Sequence, residues 1–388
     1  MTLYLDHAAT TPVRAAVIER MTEVMKHHGA NPASSHGPGR DAAAVVDRAA
    51  AEVAACIGAC GDEIVWTSGA TEAINLALKG VCGFHGGGHV ISVVTEHSAT
   101  LDTLDWLERG GVAVTRLAVD RDGLLDLAAL AAALRADTRC VSVMHVNNET
   151  GVMQDLAAIG ALCAEHGVTL HVDAAQSLGK QRIDVDAQHI GLLSMSAHKL
   201  GGPPGAGALY VRARPRIGLA AQIHGGGQQG NRRSGTLAVQ QIAGFGAACA
   251  LLHTEGAALP QRLRRLNDRL WQGLAPIEGI VRNSPADGAA HILNVSVPGV
   301  HGAALLTGLN EGQPPLAVSS GATCSAARAE SSHVLRAMGR RPALAAASVR
   351  LSLGADTTAD TVDRAAQRMV AEVSRLRRLA PRRNAIPA

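Results

Sequence analysis

The chain has 388 residues, 47% of them hydrophobic and 18% charged, with a formal net charge of +3. That length exceeds what one hydrophobic core usually spans, so two domains are expected, with ample apolar residues to build them. So small a net charge excludes nucleic acid or a membrane surface as the default partner, and no apolar stretch approaches membrane-spanning length. Residues 41–57, DAAAVVDRAAAEVAACI, read as an amphipathic helix, and EIVW (63–66) as a strand. SGATEAINLALKG then opens a helix, with Ser68, Gly69, Ala70 and Thr71 at its start. HVISVV (89–94) and RCVSVMHV (139–146) read as strands, as do VTLHVD (168–173), GLLSMS (191–196) and GALYVR (207–212). LDTLDWLERG and DLAAIGALCAEHG are helical segments between them. Strands alternating with helices imply an α/β fold with a parallel sheet and helices on its faces.

From about residue 256 the pattern changes. LPQRLRRLNDRLWQGL is a basic amphipathic helix, ILNVSV a strand, and another amphipathic helix closes the chain near 358–380. This reads as a smaller α+β domain joined by the first dozen residues, giving a large domain at 14–256 and a small one from 1–13 and 257–388. The end, RLRRLAPRRNAIPA, reads as a solvated helix face and tail rather than a binding patch. With two Phe, two Tyr and three Trp, packing falls to Ala, Leu and Val. Seven scattered cysteines without a C-x-x-C suggest neither a disulfide framework nor a zinc ribbon, and six read as small buried hydrophobes. The start, MTLYLDHAATTP, has no charged region ahead of an apolar run, so no secretion signal and a reducing, cytoplasmic compartment are expected.

Ligands of parallel α/β sheets bind beyond the carboxyl ends of the strands. EIVW is followed by TSGAT with Thr71, and HVISVV by TEHSA with His97. SVMHV is followed by NNET with Asn147 and Asn148, and LHV by DAAQ with Asp173 and Gln176. LLSM leads into SAHK with Ser196, His198 and Lys199. Each alone reads as a turn or a satisfied structural residue; together they describe one site. A lysine can form a Schiff base with an aldehyde cofactor, and pyridoxal phosphate also needs a carboxylate for its ring nitrogen and a phosphate cup. Asp173 can supply the carboxylate, the helix start at Ser68–Thr71 the cup, and His97 a flat ring. Gly201, Gly202 and Gly205 would let the backbone turn tightly beside Lys199. Other motifs carry less. HGGGQQGNRRSGT (224–236) lacks the G-K-[ST] ending of a Walker loop, no G-x-G-x-x-G opens a helix after a strand, and no H-E-x-x-H is present. His171 and Asp173 alternate on one strand and could both face a metal, but no third ligand is in view, so no metal site is expected.

In order along the chain, LDHAATTP, NPASSH, TSGATEAINLALKG, TEHSA, MHVNNETG, HVDAAQSLGK, SAHK, RRSGT, ILNVSV, SSGATC, VLRAMG and SVRLSLG resemble the NifS/IscS-type cysteine desulfurases. These are class V members of the fold-type I pyridoxal-phosphate enzymes. The resemblance runs from residue 3 to about 379. It implies a large domain with a mostly parallel seven-stranded sheet, and a small α+β domain carrying a catalytic cysteine loop at about 318–333. It also implies a homodimer with active sites near its interface. By the same resemblance Lys199 carries the cofactor, Asp173 faces its ring nitrogen, His97 stacks on the ring, and Gln176 faces the phenolic oxygen. Ala70, Thr71, Ser196 and His198 match the phosphate site, with Thr236 reaching the neighbouring subunit's phosphate. Asn148 lies at the cofactor and, with Arg350 and Asn31, receives the substrate carboxylate; a guanidinium grips a carboxylate through two parallel hydrogen bonds.

Cys324 sits in SSGATCSAARAESS, a small polar stretch that does not suggest a buried packing role. The resemblance makes it the thiol that takes sulfur from L-cysteine as a persulfide, leaving alanine, with Lys199 carrying protons. An ordinary thiol has a pKa of about 8.5, so the site must favour ionisation or supply a base, for which His97 is the candidate. A selenocysteine lyase or another class V aminotransferase is the alternative, against which Cys324 argues; a non-catalytic relative would have no need of Lys199, Asp173, His97 and Cys324 together. The chain departs from its relatives at Ala197, Pro204, Gln229 and Gly230, and it ends without the tail by which the iron–sulfur enzymes engage their scaffold. The expected partners are therefore L-cysteine, a second copy of the chain and a sulfur acceptor of open identity. That acceptor could serve iron–sulfur clusters, tRNA thiolation or DNA phosphorothioation; direct nucleic-acid binding is not expected.

Overall fold

A computed structural model describes residues 2–256, 258–320 and 331–379. Its centre is a seven-stranded sheet ordered Ile64–Thr67, Gly207–Val211, Ile190–Ser196, Thr169–Asp173, Thr138–Met144, His89–Val93 and Ala113–Leu117. Gly207–Val211 runs antiparallel to both neighbours and the remaining pairings are parallel, so every other strand ends at one edge. Three inner strands, Gly207–Val211, Ile190–Ser196 and His89–Val93, are buried along their whole length and the other two at all but one residue, as a sheet covered on both faces requires. Ala113–Leu117, which the sequence pattern did not disclose, is half-buried throughout and lies at the sheet margin. Its Arg116 pairs with Asp105 and Glu108 of the helix Ser98–Arg109, which breaks the apolar run that marks the inner strands.

The helix Gly37–Ala55 starts where His36 accepts the N–H of Gly39 and buries Ala42, Val45, Val46, Ala49 and Val53 at helical spacing. That stripe packs on the helix Val239–Glu255. A second, antiparallel sheet joins Val281–Arg282, Ile292–Ser296 and Ser348–Ser352, while Leu3–Tyr4 pairs in parallel with Leu316–Ala317. Behind it, Leu259, Leu263, Leu266, Leu270 and Leu274 of the helix Ala258–Leu274 meet Ala365, Ala366, Met369 and Val373 of Ala359–Leu379. The N-terminal segment thus forms its own two-stranded sheet, tied to the second sheet by the Asp6–Ser352 bridge, and one apolar cluster rich in Leu, Val, Ile and Ala runs through both regions.

One expectation is corrected here. Cys82, Cys140, Cys163 and Cys249 are buried, but Cys56 is only half-buried and Cys60 is exposed at the start of a short 3-10 turn. Inside the sheet the two ring nitrogens of His171 are taken by Ser142 Oγ (2.8 Å) and Ser194 Oγ (2.9 Å). Among the described residues no single helix is long and apolar enough to cross a membrane.

Candidate active site

The carboxyl edge of the sheet opens onto a cavity of about 400 Å³. Ala70, Thr71, His97, Asn148, Asp173, Gln176, Ser196, His198, Lys199 and Arg350 all line it. Asn31 and Thr236 do not. Asn31 is exposed and its Oδ1 accepts the N–H of Ala33 (3.0 Å), while Thr236 is exposed at the end of the glycine-rich loop. Cys324 lies outside the described residues.

Each side chain is set by local structure. Lys199 closes the 3-10 turn Ala197–Lys199 that follows the strand Ile190–Ser196, and its Nζ donates to the carbonyls of Ala8 (2.6 Å) and Ala9 (2.7 Å). Gly201, with φ of 83°, lets the chain reverse immediately after it. Asp173 ends its strand 4% exposed, and its Oδ1 accepts the N–H of Ala175 (2.9 Å). Gln176 donates Nε2–H to Ala8 O (2.8 Å), so the N-terminal segment touches both Gln176 and Lys199. His97 is the N-cap of the helix Ser98–Arg109; its Nδ1 accepts the Ala99 N–H (3.0 Å), which places a neutral ring's proton on Nε2. The helix Ala70–His85 begins after Gly69 with no side-chain cap, while Ser68 N donates to Glu72 Oε2 (2.8 Å). Its first N–H groups therefore remain available to an anion. Gln229, a point of departure from relatives, pairs its amide with both the N–H and the carbonyl of Trp66, closing the outer edge of the strand Ile64–Thr67. A carboxylate there could accept but not donate.

Burial dominates the electrostatics. It pushes the Asp173 carboxyl up, while the Ala175 N–H, His97 and Lys199 pull it back. His97 is held below the ordinary histidine range by burial and by the charges of Lys199 and His333, against Asp173 and Asp102. His198 drops to about 4 through burial and the charges of Lys199 and Lys180. Lys180 itself falls to about 7, by burial and by Lys199. Sequence reasoning passed over two buried acids on these same loops. Glu96 accepts the Met144 N–H (2.7 Å) on one oxygen, has no partner on the other among the described residues, and is raised well above the carboxylate range by burial and by Asp173. Glu149 is raised by burial and takes the Ser332 hydroxyl at 2.5 Å. Both follow predicted strands in TEHSA and NNET, which was the available signal.

These shifts set an acid limit on stability. His7, His145, His171 and His291 are buried, with pKa values lowered to about 4, about 4, about 3 and well below 6.5. As pH falls below 6.5 the unfolded chain takes up protons that these folded groups refuse, so stability falls with pH, by up to about 1.4 kcal/mol per pH unit for each fully discrepant group. Glu96, Glu149 and Asp173 work in the opposite sense, because their folded forms hold protons to higher pH. The histidines outnumber them, so the thermal midpoint should fall between pH 7 and pH 4.5. A flat melting profile over that range would show that the three acids offset the histidines.

A sequence profile described as aminotransferase class-V matches residues 3–365. The cysteine desulfurase IscS of Methylococcus capsulatus is 50% identical over 383 residues, covering 98% of this chain and 94% of that protein. A solved structure titled NifS-like protein superposes with a TM-score of 0.90 at 31% identity, over 97% of this chain and 100% of the other. A second, SspA in complex with cysteine, gives a TM-score of 0.81 at 35% identity over 90% and 98% of the two chains. With sequence, fold and cavity in agreement over nearly its whole length, the chain belongs to the class-V aminotransferases, in their branch of NifS/IscS-type cysteine desulfurases.

Proposed function

We propose that this chain binds pyridoxal 5'-phosphate and L-cysteine in the cavity and transfers the substrate's sulfur to Cys324 as a persulfide, releasing alanine. The carrying observation is the meeting of an amine (Lys199), a buried carboxylate (Asp173), an uncapped helix start (Gly69–Thr71) and a guanidinium (Arg350) on one cavity. That donor set fits pyridoxal phosphate: Lys199 for the aldehyde carbon, Asp173 and Gln176 for the ring's polar atoms, and Thr71, Ser196 and His198 with the helix N–H groups for the phosphate. Bound there, the cofactor supplies an electron sink for charge developing at the substrate Cα. A cysteine-bound structure exists for the SspA relative, which supports L-cysteine as the ligand here.

The chain's own residues then divide the work. Arg350 and Asn148 receive the α-carboxylate. The Lys199 amine moves a proton at the substrate Cα, and His97, with its proton on Nε2, serves the sulfur side of the cavity. The Cys324 thiolate attacks the substrate sulfur: a new S–S bond forms and the Cβ–S bond breaks. The electron pair of that broken bond stays with the three-carbon fragment, which takes up a proton and leaves as alanine. Thr236, exposed on its own chain, suits a contact with a second subunit's phosphate, so the active unit is read as a homodimer. The persulfide would then pass to an acceptor protein in a reducing, cytoplasmic compartment.

The test is incubation of the purified protein with L-cysteine and a reductant, measuring sulfide and alanine for wild type and Cys324→Ser. Equal amounts from wild type, with loss in the variant, would bear out transfer through Cys324. Unchanged production in the variant would favour a lyase of the selenocysteine type, and no alanine from either would remove L-cysteine as substrate.

A further inference from the structure

We propose that Asp6 is a positioning residue for substrate recognition: it fixes the Arg350 guanidinium so that the fork presents its remaining N–H groups to the α-carboxylate. The inference rests on the reading of Arg350 as carboxylate receptor. Arg350 sits in the middle of the strand Ser348–Ser352, 1% exposed, yet it lines the cavity. A buried guanidinium needs a counter-ion and satisfied donors. Here Nη2 donates to Asp6 Oδ1 (2.8 Å) and Nη1 to the carbonyl of Asn148 (2.9 Å). Nε is buried and has no hydrogen-bond partner among the described residues.

Asp6 is itself held. Its second oxygen accepts the Ser319 hydroxyl at 2.9 Å, and its backbone bridges to Ser352. Ser319 in turn pairs with the Arg350 backbone, accepting its N–H at 2.7 Å. Asp6 does not line the cavity, so it acts on Arg350 from outside the ligand space. An arginine has five N–H donors in a fixed plane. Anchoring one terminal nitrogen on Asp6 and the other on Asn148 fixes that plane and leaves donors for a two-bond grip on an incoming carboxylate. The competing reading is that Asp6 only staples the N-terminal strand to the second sheet. The two differ in what the substitution does to a ligand that lacks the carboxylate.

The experiment is a spectral titration of the holoenzyme with L-alanine, the reaction product, and with L-alanine methyl ester, for wild type, Asp6→Asn and Ser319→Ala. Asp6→Asn should weaken L-alanine binding by about ten-fold, the scale of one charged hydrogen bond, while the ester's affinity stays near that of wild type. KM for L-cysteine should rise with kcat little changed. Ser319→Ala, which keeps the ion pair but frees one Asp6 oxygen, should show the same selectivity at smaller size, and it carries the test if Asp6→Asn does not fold. Equal weakening toward both ligands, or none toward L-alanine, would overturn the proposal and leave Asp6 a staple. A wild-type protein that does not prefer alanine over its ester would overturn the assignment of Arg350, and this proposal with it. A wild-type protein whose spectrum responds to neither ligand would instead refute the functional reading as a whole.

Discussion

Replacing Lys199 with alanine is expected to lower alanine and sulfide formation from L-cysteine by roughly 1,000-fold or more, the upper range for loss of a positioned proton carrier. On the proposed mechanism two roles are lost together, since the same amine would anchor the cofactor and move a proton at the substrate carbon. In the structure Nζ also donates to Ala8 and Ala9 carbonyls, so the alanine variant alone would not separate chemistry from architecture. Lys199→Arg makes that separation. Arginine keeps a cation and several donors for those carbonyls, but at a pKa above about 12 it neither condenses with an aldehyde nor exchanges protons near neutrality. The arginine variant should therefore be as inactive as the alanine one, and after dialysis both should lose the visible absorbance of bound cofactor. The arginine variant should melt closer to wild type. Substantial turnover by Lys199→Arg would show that the lysine is a structural tether and that another base serves the substrate.

The strands that carry the site were legible because each is a buried apolar run ending in a polar tetrad, as in LLSM followed by SAHK or LHV followed by DAAQ. The strand Ala113–Leu117 was not, because an edge strand half open to solvent keeps an arginine in its middle and loses the apolar signature. Residues brought in by long-range pairing were equally hidden. Asp6 meets Arg350 across 344 positions, and nothing local to LDHAATTP announces it. The partners of His171 were hidden in the same way: only the register of neighbouring strands reveals Ser142 directly opposite it. Ala8 and Ala9 contribute main-chain oxygens to the lysine, a role for which side-chain chemistry offers no cue. Asn31 and Thr236 came from the family resemblance alone, and within one chain neither lines the cavity.

Gly207→Ala should weaken pyridoxal phosphate binding at least about ten-fold, equivalent to losing one charge-assisted hydrogen bond, and lower stability by about 1–3 kcal/mol through overpacking. Gly207 begins the antiparallel strand and is paired with Thr67 on one side and Ser196 on the other, so its backbone is pinned by a ladder at both flanks. A Cβ there would lie 2.3 Å from the Cα of Gly69 and 2.6 Å from its N and C, distances that no real contact sustains. The strand cannot retreat, so Gly69 must. Gly69 is the residue from which the helix Ala70–His85 starts, and its carbonyl accepts the Thr67 hydroxyl at 3.0 Å. Moving it displaces the first N–H groups of that helix, the proposed phosphate cup. Gly29→Ala is the control: nothing lies within 4 Å of its Cβ position, so the same added methyl should leave cofactor affinity unchanged. Fluorescence titration of the apoprotein with pyridoxal phosphate, alongside urea unfolding of each variant, separates the two effects. If Gly207→Ala lost stability but bound the cofactor as tightly as wild type, the helix start after Gly69 would not be the phosphate site. The anion would then have to be held by the Ser196 and His198 side chains without the helix start.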